Sequence, residues 1–158
     1  MNVRKRPKQQ YNDLLTEAWD RGDHAAVLNY INLFHGHPGP NAVIGFRAGL
    51  LGLRHVKASK YFGAKATYRG PCRPPESCLA DGLQTGTGCT VGKASLRMEE
   101  APEISLAVEH EETGEQVTFK ISKQVRAEIE SRYARGVDES ETSLWLMRLD
   151  DEELFKVS

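Results

Sequence analysis

No stretch of this sequence stays apolar for anything near the roughly 20 residues needed to cross a bilayer. The basic opening MNVRKRPKQQ has no apolar run behind its charges and leads into acidic, helix-forming sequence, so it does not read as a secretory signal. Cysteine is scarce and odd in number, three in 158 residues. Without a secretory signal, that argues against a disulfide framework and for free thiols or metal ligands in a cytoplasmic protein. There is no C-x-x-C pair, which disfavours a thiol redox role for Cys78 or Cys89. Negative charge is missing over a long stretch: no acidic residue lies between Asp23 and Glu76, while Arg47, Arg54, Lys57, Lys60, Lys65, Arg69 and Arg73 supply seven positive charges there, and sixteen acidic residues follow from Glu99 onward. The totals, 21 basic and 22 acidic, nearly cancel, so the whole chain carries no footprint of a nucleic-acid or membrane-surface binder. The uneven distribution predicts solvated charges on ordinary helix surfaces or an anion-attracting cleft.

A chain of this length with 39% hydrophobic residues suits one domain around one core. Between residues 8 and 34, Tyr11, Leu14, Leu15, Ala18, Trp19 and then Ala26, Val27, Tyr30, Ile31 and Phe34 recur at helical spacing, broken at Arg21-Gly22-Asp23. The spacing predicts two helices, with Asp23 capping the second. Ala42 to Leu53 reads as a third helix, apolar nearly all round; its Gly45, Gly49 and Gly52 imply close packing against another backbone or a ligand, because glycine otherwise weakens a helix. Tyr61 to Tyr68 fits a strand, Ser77 to Gln84 a short helix with Ser77 as its cap, and TGTGCTVGK (85–93) a glycine-rich loop. Ile104-Leu106-Val108 and Val117-Phe119-Ile121 alternate around Thr113-Gly114 as a hairpin. Ser122 to Arg135 returns to helix and stops at Gly136; Thr142 to Phe155 reads as a last helix or helical turn with Leu144, Trp145, Met147, Leu149 and Leu154 inward. The predicted class is α+β, helices first and last around a mainly antiparallel sheet.

The chemistry centres on FHGHPGPNAVIGF (34–46). Neutral imidazole is a common ligand of zinc and other transition metals, and Gly36 permits the tight turn by which His35 and His37 would share one ion; capping or packing of the helix end is the simpler alternative. Cys78 would supply a thiolate, leaving a fourth position open as in catalytic zinc sites. Cys89, eleven residues on, belongs to the same compact unit. Asp81, on the same helix face as Cys78, suits a fourth ligand, a partner of a histidine or a general base. Cys72 lies between Arg69 and Arg73, where positive charge favours thiolate, or is simply a surface cysteine. The glycine-rich loop superficially suggests a phosphate cradle, but Lys93 is followed by Ala94 rather than Ser or Thr, so the P-loop pattern fails.

HGHPGPNAVIGFRAG together with CLADGLQTGTGCTVGKASL resembles the core motifs of the FmdE family of formylmethanofuran dehydrogenase, and DDEELFKV resembles its closing stretch; the likeness runs from about Ile31 to Val157. The resemblance implies a thioredoxin-like α+β core with a mixed sheet flanked by helices, forming a single domain over 1–158 without the C-terminal zinc finger of some relatives. It implies zinc or another divalent transition metal with His35, His37 and Cys78 as leading ligands, and Asp81, Gln84, Cys89, Thr90 and Lys93 lining the pocket, Cys89 being a further candidate ligand; in an enzymatic version Asp81 would handle protons. It also implies a role in one-carbon metabolism, enzymatic with a small-molecule ligand, or else that of an accessory or metal carrier for a molybdenum or tungsten enzyme. A homodimer is expected from the apolar third helix and an exposed hairpin edge. One departure is plain: where the family commonly reads H-G-H-x-C-P-G, the cysteine position is Gly39, which removes a soft ligand.

Overall fold

Aspartates start the first two helices. Asp13 accepts the Thr16 backbone N–H at 3.1 Å, and Asp23 accepts that of Ala26 at 3.1 Å, each satisfying a donor that a helix N-terminus leaves unpaired. The computed structural model describes residues 13–158, so residues 8–12 of the first expected helix lie outside the described residues. Helix α1 spans Leu14–Asp20 and α2 spans His24–His35. The turn falls at Gly22, which takes the left-handed φ of 76° that glycine tolerates best. Helix α3 (Pro40–Val56) begins with proline at its first position and is buried along nearly its whole length.

Helix α4 (Cys78–Thr87) packs along α3 backbone to backbone. A Cβ on Gly45 would overlap the carbonyl oxygen of Leu79, one on Gly82 the carbonyl of Ala42, and one on Gly86 the carbonyl of Phe46. The helical glycines therefore serve as a contact face between these two helices. Beneath it, Gly52 admits the side chain of Val108, joining α3 to the sheet.

The sheet has the order β2-β1-β3-β4-β5. Strand β1 (Ala64–Gly70) runs parallel to β2 (Leu96–Glu100), with α4 as the crossover; β3 (Ser105–His110), β4 (Gln116–Ile121) and β5 (Phe155–Val157) are antiparallel neighbours. Ala64, Ala66 and Tyr68 of β1 point into the core with Leu106, Val108, Val117 and Phe119, the alternation expected of strands with one buried face. Helices α5 (Lys123–Ala134), α6 (Glu139–Arg148) and the single turn α7 (Asp151–Leu154) complete the chain. The result is the α+β class, with a mixed, mainly antiparallel sheet flanked by helices.

Four expectations are corrected. Residues 61–63 form a turn, and the strand starts at Ala64. Residues 85–87 belong to α4 rather than to a loop. Strand β2 has no counterpart among the expected strands. The C-terminal helix divides at Leu149, because Asp150 and Glu153 form a capping box that restarts the chain as α7, and Phe155 then pairs with Ile121. Moreover, the predicted hairpin has no free edge, since β3 pairs with β1 and β4 with β5, and α3 is consumed by α4 and the sheet. Neither feature invoked for a homodimer is available to a second copy.

Candidate metal centre

Helix α2 ends at His35, and Gly36 closes it with a left-handed φ of 93° while donating its N–H to Asn32 at 2.7 Å, the usual glycine stop. His37 and Pro38 follow, and Gly39 caps α3. The turn is held twice: Gly39 N–H donates to the His37 carbonyl at 2.8 Å, and Ser143 Oγ on α6 donates to the Pro38 carbonyl at 2.7 Å. As a consequence the two imidazoles lie side by side, ring centroids 4.4 Å apart.

Each ring is fixed by a carboxylate. His35 Nδ1 lies 2.6 Å from Asp81 Oδ2, and His37 Nδ1 lies 3.0 Å from Glu139 Oε2. With Nδ1 donating to a carboxylate, Nε2 keeps the lone pair, which is the arrangement that orients and strengthens a histidine as a metal ligand. The His35 side chain is only 6% exposed, yet its Nε2 is buried without a hydrogen-bond partner. An imidazole nitrogen left in that condition is costly unless something meets it. His37 is half exposed and opens the pair to solvent.

Position 39 faces both rings. A Cβ built on Gly39 would stand 2.9 Å from His37 Cε1 and 3.1 Å from His35 Nε2, so a cysteine at this position would send its sulfur between the imidazoles. Two histidines, each backed by a carboxylate, thus stand side by side around a position that carries no side chain. Among the described residues no group of three or more His, Cys, Asp and Glu is arranged to hold an ion.

The other predicted residues are dispersed along α4 and beyond its two ends. Asp81 meets His35 as a buttress. Cys78 opens the helix, half-buried; burial and then Asp81 push its thiol above the ordinary range, so it is a poor thiolate. Cys89 lies past the far end of the helix, roughly 15 Å away at 1.5 Å per residue. It is buried in the core, donates to the Ala64 carbonyl at 3.3 Å, and burial raises its thiol as well. That separation exceeds the reach of a disulfide between Cys78 and Cys89 and keeps Cys89 away from the histidines. Thr90 and Lys93 share that end: Thr90 Oγ1 accepts the Lys93 N–H at 3.2 Å, and Lys93 Nζ donates to the Tyr61 carbonyl at 2.7 Å and to that of Gly88, tying the loop to the residues before β1. Gln84 sits one turn beyond Asp81, its carbonyl accepting the Gly88 N–H at 2.8 Å. Cys72 is exposed, and its backbone N–H donates to Glu100. Sequence reasoning missed Glu139, which comes from 102 residues beyond His37 and carries no motif of its own. Beside it opens a cleft of about 540 Å³ lined by Ile44, Leu79, Ile129, Tyr133 and Glu76, where Glu76 Oε2 is buried without a partner.

Residues 34–156, which include both histidines, match the family described as FmdE, molybdenum formylmethanofuran dehydrogenase operon. No curated protein matches the chain. Among solved structures the chain is similar to the crystal structure of a tungsten formylmethanofuran dehydrogenase FmdE-like protein from Syntrophus aciditrophicus, with a TM-score of 0.61 and 19% identity, covering 85% of this chain and 70% of that one. At that identity the likeness is one of fold. The family match spans most of the sequence, and the chain therefore belongs to the FmdE family.

Proposed function

We propose that this FmdE-family protein holds a divalent transition metal ion, zinc foremost, on His35 Nε2 and His37 Nε2 in an open and exchangeable site, and that it serves as an accessory to a formylmethanofuran dehydrogenase rather than as a component with turnover of its own. The observation that carries the reading is the buried, unpartnered Nε2 of His35, poised by Asp81 beside a second histidine poised by Glu139. When bound, a zinc ion would supply Lewis acidity or an activated water. The chain's own residues orient the two rings, shield one of them from solvent and leave the other open. Two protein ligands with neutral imidazole donors favour exchange over permanent retention, because structural zinc sites are closed by four. The surface beside the site agrees with a docking role: Tyr30, Leu33 and Phe34 leave an apolar stripe exposed on α2 just before His35, and contiguous exposed apolar surface marks interaction sites.

The test is zinc titration of untagged protein by calorimetry, with the histidine ring resonances followed by NMR. One zinc per chain is expected, shifting the resonances of both rings; His35→Ala and His37→Ala are each expected to abolish binding while the fold persists. Failure of the wild-type rings to respond to zinc would sink the reading. For the accessory role, Leu33→Asp is expected to abolish co-elution with the dehydrogenase while leaving zinc binding intact.

A further inference from the structure

On a different part of the molecule, a cavity of about 470 Å³ lies between the end of α1, the start of α2, the middle of α3 and the α6–α7 junction. Its walls include Trp19, His24, Arg47, Arg54 and Arg148. Arginine of this kind is expected on a solvated surface, but Arg47 is 5% exposed. Its Nη1 donates to the Leu146 carbonyl at 2.6 Å and its Nη2 to Asp151 Oδ1 at 2.7 Å, whereas its Nε is buried with no partner. A buried guanidinium with an idle N–H calls for an acceptor.

Two of the acids near the cavity are already paired with arginine: Asp151 with Arg47, and Asp20 with Arg54 at 3.0 Å. Asp150, at the exposed α6–α7 junction, donates its backbone N–H to Glu153 Oε2 at 2.9 Å. Arg148 has no acidic partner among the described residues. Burial first, and then Arg148 and Arg47, hold the His24 imidazole below its ordinary range, with Asp23 opposing them. His24 stacks on Trp19, ring centroids 5.4 Å apart, and Arg47 lies over the same indole at 5.5 Å, so the three side chains form one packed wall.

We propose that this cavity binds a compact oxyanion, a carboxylate or phosphate group, between Arg148 and the idle Nε–H of Arg47. Guanidinium groups suit such anions because their planar N–H forks match the oxygen spacing. The site is independent of the histidine pair, so its success or failure leaves the metal reading untouched.

Trp19 provides the readout. In a Trp145→Phe background, indole emission is followed during titration with sodium phosphate or sodium acetate, against sodium chloride at matched ionic strength; the His24 ring resonances are followed in parallel in the unaltered protein. A saturable change with at least one oxyanion, absent with chloride, is expected; phosphate alone identifies a phosphate-bearing ligand and acetate alone a carboxylate. Arg148→Gln, at an exposed helix end, is expected to keep the parent melting midpoint and to weaken binding at least tenfold. If neither oxyanion exceeds chloride in both readouts, or if Arg148→Gln binds as tightly as its parent, the proposal is overturned.

Discussion

Position 39 has no side chain where two imidazoles converge, and that one absence sets the character of the site. Cysteine at the head of α3 would sit at the positive end of a 17-residue helix, where thiolate is favoured, and would add a soft ligand between His35 and His37. Gly39→Cys is thus expected to tighten zinc binding at least tenfold, measured by competition with a chelating indicator. His37, half exposed, can yield to the added Cβ. Asp81→Asn is expected to weaken zinc about tenfold or more, the usual effect of losing a carboxylate that orients a metal-bound histidine, with little change in stability because Asp81 is itself nearly half exposed. The histidines and Asp81 were legible in the sequence because local spacing presents them: an H-x-H turn, and an acid on the first turn of a helix. Glu139 was not, since only tertiary folding brings α6 to the turn. Cys89 misled for the complementary reason: proximity in sequence to Cys78 conceals a helix of ten residues between them.

Among the elements, the α3–α4 pair shows glycine acting as a surface. Gly82→Ala gains roughly 1 kcal/mol of helix propensity but drives a methyl group into the Ala42 carbonyl and the Phe46 amide. Overpacking against backbone costs about 1–3 kcal/mol or more, and here no flexible side chain can give way. Urea unfolding should therefore show a net loss of about 2 kcal/mol for Gly82→Ala, while Gly92→Ala, which meets nothing within 4 Å, should unfold near the wild-type midpoint. The glycine pattern foretold this packing, as helical periodicity foretold α1 to α3 and alternation foretold the β3–β4 hairpin. Strand β2 escaped because only Leu96 of its five residues is buried; an edge strand paired on one side leaves no alternation to read. The C-terminal segment reads as one helix because its apolar residues keep helical spacing through Leu154, and the interruption is made by polar capping at Asp150.

Across the whole molecule, burial decides how stability responds to alkali. Tyr68 is fully buried in the core and donates to the Pro71 carbonyl at 2.9 Å; burial first, then the nearby Cys72, Glu76 and Glu100, push its pKa up to about 12. The folded state keeps this proton after the unfolded state, titrating near 10, has released it, so stability falls as pH rises from 10 toward 12, by about 2 kcal/mol. Cys89, raised in the same direction by burial, adds to the loss above the ordinary thiol range. Urea unfolding at pH 9 and pH 11 is expected to show this decline in the wild type and a flatter one in Tyr68→Phe.

The fastening of the histidine turn carries a further consequence, in time rather than in space. The carboxylate on His37 and the hydroxyl on the Pro38 carbonyl come from 102 and 105 residues downstream. Contacts of such long sequence separation form late, after the chain between them has closed its loops. A growing chain that has reached Glu130 already contains both histidines and Asp81 but neither of these fastenings. The orientation of His37 is thus acquired last, which makes the finished histidine pair a mark of a chain synthesised and folded through α6.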